Sequence, residues 1–147
     1  MQTIRRLDMA DARCILRGAA QRSEEIGVPM CTAVVDDSGA LIAFERLDGG
    51  KVSSSPIAID KAYTAAAARN RTAFYGDDSN PNSPTWRIKG TNDGRFSTIG
   101  GGVPVTVDGT VVGGIGVSSG TQAQDVDVAE AALAHFLTES GLAATTS

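Results

Sequence analysis

Two stretches of this chain fold back on themselves, and together they restrict its architecture more than any other feature. Val28 to Val35 and Ala40 to Arg46 read as strands joined by the turn Asp36-Asp37-Ser38-Gly39. Val103 to Val107 and Thr110 to Val117 read as a second pair, joined by Asp108-Gly109, a dipeptide suited to a two-residue hairpin. Antiparallel hairpins exclude the repeating strand-helix-strand unit of a parallel nucleotide-binding sheet.

Helical segments separate the hairpins. Asp8 to Ile26 places Ala12, Ile15, Leu16, Ala19 and Ile26 near one face, with Gly27 as a C-terminal stop. Ser53-Ser54-Ser55-Pro56 supplies hydroxyl caps and a first-turn proline for a helix running to about Asn70. A last helix is expected over Gln122 to Glu139. Between Thr72 and Thr98 periodicity is lost, and a long loop carrying a short helical piece is expected. The order is therefore α-β-β-α-loop-β-β-α, an α/β chain of the α+β kind with a central antiparallel sheet flanked by helices.

At 147 residues the chain fits one domain spanning 1–147. Aromatic residues are only 5% of it while glycines number 17, so elements are expected to approach closely over small side chains. Cys14 and Cys31 sit in apolar segments as small hydrophobes, which suits a reducing compartment. The charged N-terminal segment has no apolar run of signal or membrane length, so a cytoplasmic location is expected. With 13 Lys+Arg against 17 Asp+Glu and no basic cluster, neither nucleic acid nor a membrane surface is an expected partner.

The run GGIGVSSG, Gly113 to Gly120, raises the question of a phosphate loop. A dinucleotide fingerprint needs its glycines in the turn after a strand, whereas Gly113, Gly114 and Gly116 lie inside one. Glycine within a strand marks a bulge or a place where a helix, a subunit or a flat ligand presses on backbone. Ser118-Ser119-Gly120-Thr121 instead precedes a helix, where hydroxyls cap and free N–H groups receive an anion.

LIAFERLDGG (41–50), IAIDKAYTAAA (57–67), GGVPV (101–105) and VVGGIGVSSGTQAQDVDVAEAAL (111–133) together resemble the GlcG/HbpS family of haem-binding or haem-degrading domains, also seen in the C-terminal half of some corrinoid adenosyltransferases. The resemblance implies a profilin-like sandwich, a homo-oligomer from dimer up to octamer, and haem as cofactor.

The residues leave three functional readings open. A small-ligand-binding protein would use Trp86 and Arg87 of the long loop, where Arg87 and Arg95 could close over an anion, with Gly101 and Gly102, and Ser118, Ser119 and Gly120. A catabolic enzyme of isomerase, hydratase or deaminase type, acting on a carboxylate, would use Lys61 as base or clamp with Arg46 and Asp48. An assembly or sensory accessory would have no catalysis. For a metal, His135 is the sole imidazole, and Asp125 and Glu130 sit at a helix start, where acidic residues also complement the helix dipole. A stripe of Val126, Ala129, Leu133 and Leu137 turns His135 away from the core, on a face shared with Val128, Ala131 and Ala132.

Overall fold

A computed structural model describes residues 1–76 and 80–142. The expected order is observed: α1 (Met9–Ile26), β1 (Cys31–Asp36), β2 (Leu41–Arg46), α2 (Ser54–Ala68), three short 3-10 turns, β3 (Gly102–Val107), β4 (Thr110–Ser118) and α3 (Gln122–Glu139). The four strands form one antiparallel sheet in the order β2-β1-β4-β3. Each hairpin of the sequence is thus one half of the sheet, and β1 and β4 join them at its centre. No helix among the described residues is long and apolar enough to cross a membrane.

Local chemistry sets most boundaries. Asp8 caps α1 in a reciprocal box with Asp11, and Gly27 closes it in the left-handed conformation. β1 begins at Cys31 rather than Val28, because Val28 N–H is still donating to Ser23 O in the helix cap and Pro29 has no N–H to give. At α2 the expected hydroxyl cap is absent: Ser53 already has helical angles and makes no side-chain cap bond. The preceding turn, in which Ser54 N–H donates to Lys51 O, takes over that end. Between α2 and β3 the long loop carries Thr72–Tyr75, Ile88–Gly90 and Asn92–Gly94 as single 3-10 turns, with residues 77–79 outside the description.

The two faces of the sheet are packed differently. On one side α1 and α3 cover Val34, Val103, Val105, Ile115 and Val117 with Ile15, Leu16, Val128 and Phe136, the large-residue core. On the other, α2 lies alone over Cys31, Ala33 and Val35 through Ala58, Ala62 and Ala66. Here the strand glycines find their use. A Cβ added at Gly116 would stand 2.0 Å from Ala58 O, and one at Gly114 2.5 Å from Ala62 O. One at Gly102 would stand 2.5 Å from Lys61 O. Of the three occupants left open by the sequence, it is a helix that presses on the backbone.

The expected orientation of α3 is corrected. Its buried side carries Asp125, Val128, Ala129, Ala132 and Phe136, so Val128 and Ala132 belong to the core rather than to an outer face. The reason is that α3 packs against both the sheet and α1, which widens its buried sector and shifts its centre away from Leu133 and Leu137. His135 follows: it is half-buried against α1, its Cβ only 2.6 Å from where a Cβ on Gly18 would lie.

Candidate functional site

Several residues singled out in the sequence meet at the C-terminal end of β4. Lys61 on α2 is 1% exposed, and its Nζ donates to Val117 O and to Asp125 Oδ2, both at 2.9 Å. Asp125, 3% exposed on the first turn of α3, accepts a second bond on Oδ1 from Gly120 N–H at 2.9 Å. Gly101 completes the junction with φ 126°, and a side chain there would meet Lys61 Nζ, Asp125 and Val117 O. Gly102 N–H donates to Thr72 Oγ1, Lys51 N–H donates to Ser119 Oγ, and Ser118 is buried beside them. Burial favours the neutral form of each partner, pulling the Lys61 ammonium below its ordinary value and pushing the Asp125 carboxyl up, while their mutual hydrogen bond opposes both shifts.

This junction is sealed, and its groups are committed to one another. The anion that the backbone N–H of Gly120 receives is the chain's own Asp125 carboxylate. The helix cap is not a serine: Thr121 Oγ1 accepts from Gln124 N–H, and Gln124 Oε1 accepts from Thr121 N–H. Lys61 therefore ties α2, β4 and α3 together rather than facing a substrate, and the catalytic grouping with Arg46 and Asp48 is not assembled. Arg46 is exposed on the edge strand β2, and Asp48 lines a cleft beside the C-terminal turn of α1, on the other side of the sheet.

The metal grouping is likewise dispersed. Asp125 is taken by Lys61, Glu130 pairs with Arg71, and His135 packs on Gly18. Among the described residues no group of three or more His, Cys, Asp or Glu side chains is placed to hold a metal ion.

An open cleft of about 250 Å³ does lie between α2 and the end of the long loop. Ile57, Phe96 and Ile99 give it apolar surface, and Asp60, Lys89 and Arg95 give it charge. Arg95 lies over the Tyr63 ring at 3.9 Å with its Nε 3.7 Å from Asp60 Oδ1. The backbone is anchored by Thr64, whose Oγ1 donates to Asp60 O and accepts from Ser97 N–H. Burial pushes the Asp60 carboxyl up, against the pull of Arg95. Trp86 and Arg87 lie outside this cleft; the Arg87 guanidinium stacks on the Trp86 ring at 4.3 Å. Arg95, a loop arginine expected to close over an anion, does line the cleft, whereas Asp60 was visible in the sequence only as an ordinary charge. The signal that marks this wall is helical spacing, since Ile57, Asp60 and Thr64 recur at three and four residues along one face of α2.

The comparisons agree with this fold. Residues 7–134 match the family described as haem-degrading HbpS-like proteins. An uncharacterised 15.0 kDa protein from the dhaT-dhaS intergenic region of Citrobacter freundii is 36% identical, over 92% of this chain and 95% of its own length. The crystal structure of Klebsiella pneumoniae protein ORFY superposes with a TM-score of 0.89 at 31% identity, covering 92% of this chain and 94% of that one. The crystal structure of a PduOC haem complex superposes with a TM-score of 0.84, also at 31% identity, covering 88% and 94%.

Proposed function

The chain belongs to the HbpS-like family of haem-degrading proteins, and from that premise we propose that it binds a small amphipathic anion of the haem type in the cleft between α2 and the loop ending at Ile99. One observation carries the reading: Ile57, Phe96 and Ile99 lie beside Arg95 and Lys89, apolar surface for a flat ring next to cations for carboxylates. Sites for such ligands are mostly apolar with a few placed charges.

The fit to haem is through the ring and its carboxylates, not through iron. Imidazole, thiolate, thioether and phenolate are the usual axial donors. Among the described residues none lines this cleft: His135 is against Gly18, Met30, Cys14 and Cys31 are buried, Tyr63 donates to Asn92, and Tyr75 packs edge-on between Phe74 and Phe96. Asp60 and Ser97 offer oxygen alone. Bound haem would bring its redox-active iron; the protein's share is to hold the ring against Ile57 and Ile99 and to neutralise a carboxylate with Arg95.

Titration of the purified protein with haemin, followed at the Soret band, tests the reading, with metal-free protoporphyrin IX as the second arm. Both ligands should bind with similar affinity, and Arg95→Ala should weaken both about tenfold, the loss expected for one charge-assisted contact. Absence of a Soret shift overturns the ligand class. Unchanged affinity in Arg95→Ala overturns the location.

A homo-oligomer is part of the same proposal. Phe74 and Ile99, 69% and 50% exposed, offer apolar surface for a second copy, and two free buried cysteines suit the reducing cytoplasm. Sedimentation of Phe74→Ser against the parent protein checks the contact: a mass unchanged from the parent's overturns it.

A further inference from the structure

On the opposite side of the sheet, a cleft of about 550 Å³ opens between the C-terminal turn of α1 and the segment leaving β2. We propose that this cleft is a second ligand site, and that it takes a small organic cation: a primary ammonium carried on an apolar body.

Three features point to positive charge. Glu24 and Asp48 stand at the cleft, both exposed, and neither has a cationic partner among the described residues. The nearby Arg22 is spent elsewhere, on Glu25 and Asp127. The C-terminal turn of α1 ends in the same cleft, and it contains no basic residue to offset the partial negative charge of its carbonyls.

A buried hydroxyl supplies the independent sign of a ligand. Ser23 lines the cleft at 1% exposure, and its Oγ has no hydrogen-bond partner among the described residues. Buried polar atoms in native proteins are nearly always paired, so an orphan beside a cleft marks a place where something else completes the bond. The hydroxyl oxygen can accept from an ammonium N–H.

The remaining walls are apolar and held in place. Val28, Pro29 and Leu47 provide them, with Leu47 N–H donating to Met30 O at 3.1 Å and Gly50 N–H donating to Leu47 O at 2.8 Å. Two carboxylates without a third ligating side chain, beside hydrocarbon, suit an organic cation better than a divalent metal, which needs six or more oxygens.

The test uses the full chain with benzylammonium as probe and benzyl alcohol as its neutral isostere, followed by amide chemical shifts of residues 23–29 and 47–50. Benzylammonium should shift these amides saturably and bind at least about tenfold more tightly than the alcohol, the discrimination expected of a hydrogen bond to a charged group. Glu24→Gln/Asp48→Asn, both exposed and tolerant of change, should erase that discrimination. Ser23→Ala should weaken benzylammonium while raising the melting temperature of the free protein, since it removes an unpaired buried hydroxyl. Equal binding of amine and alcohol overturns the proposal, as does an unaffected double variant. Saturable shifts of the same amides by Mg²⁺ or Ca²⁺, in competition with the amine, would make this an inorganic cation site and overturn it equally. The cleft shares no residue with the one proposed for haem, so either can fail alone.

Discussion

The two faces of the sheet bury their surface by opposite means. Beneath α1 and α3 the core is made of volume, with Ile15, Leu16, Ile115, Val117 and Phe136 interdigitating. Beneath α2 it is made of proximity, with the helix set directly on the strands, its alanines over Gly114 and Gly116 and the Lys61 carbonyl over Gly102. The first face resists loss of atoms, and the second resists gain. Because it has few large side chains, the α2 face is pinned by a polar device, the buried pair of Lys61 and Asp125.

That device should show the largest effect. Lys61→Ala leaves a carboxyl buried without its partner, and breaking such a pair costs about 3–5 kcal/mol. Urea denaturation should show it as a lowered midpoint at constant slope. Lys61→Met with Asp125→Leu should recover most of the loss, because replacing both members of a buried pair by hydrocarbon is often neutral. A double variant as unstable as the single one would mean that the pair does more than hold three elements together.

Gly116 and Ile115 are neighbours on opposite faces, and they sharpen the contrast through one methyl group each. Gly116→Ala would ordinarily stabilise a strand by about 0.5–1 kcal/mol. Here the new carbon meets Ala58 O, so α2 must move, and a loss of about 1–3 kcal/mol is expected. Ile115→Val removes a methyl from the volume-packed face and should cost about 0.5–1.5 kcal/mol. Thermal melts of the two single variants decide the matter: a stabilised Gly116→Ala would end the idea that α2 sits on backbone.

The smallest effect concerns the turn between β1 and β2, which neither face controls. Burial raises the Asp36 carboxyl, but hydrogen bonds from Ser38 and Ala40 together with Arg6 outweigh it and hold it below its ordinary value. A carboxyl lowered by folding stabilises the native state above its unfolded value of about 4, and that contribution fades as pH falls through the folded value. Stability measured from pH 6 downward should therefore fall further in the parent protein than in Asp36→Asn. Parallel curves would remove Asp36 from the account.

The order of elements, both hairpins and the last helix from Gln122 to Glu139 were legible in the sequence, because capping boxes, turn dipeptides and alternation act over a few residues. So was the close approach marked by the strand glycines, since a missing side chain is itself a statement about approach, although which of helix, subunit or ligand makes it was left open. The orientation of α3 was not. A helix that packs on two neighbours has a wide buried sector, and its alanines weigh little in a hydrophobic stripe, so Val128 and His135 were turned outward when the fold turns them in.

The candidate sites were less legible still. Lys61 and Asp125 were each recognised as chemically notable, yet with different roles, because nothing local signals that residues 64 apart in the chain share one hydrogen bond. Ser23, Glu24 and Asp48 carry no shared motif, and Ile57 meets Ile99 only where the long loop returns to α2.

What the sequence by itself determined is the set of elements and the family to which they belong, for those depend on propensities and turn chemistry written residue by residue. What only the tertiary structure decided is which charges are spent and which remain. Asp125 is consumed inside the fold and Arg95 is held against Tyr63 and Asp60 at the edge of one cleft, whereas Asp48 is left without a cationic partner among the described residues at another. The physical reason is that burial and pairing are properties of position in space, and α2 and α3 acquire theirs only when they close on the sheet.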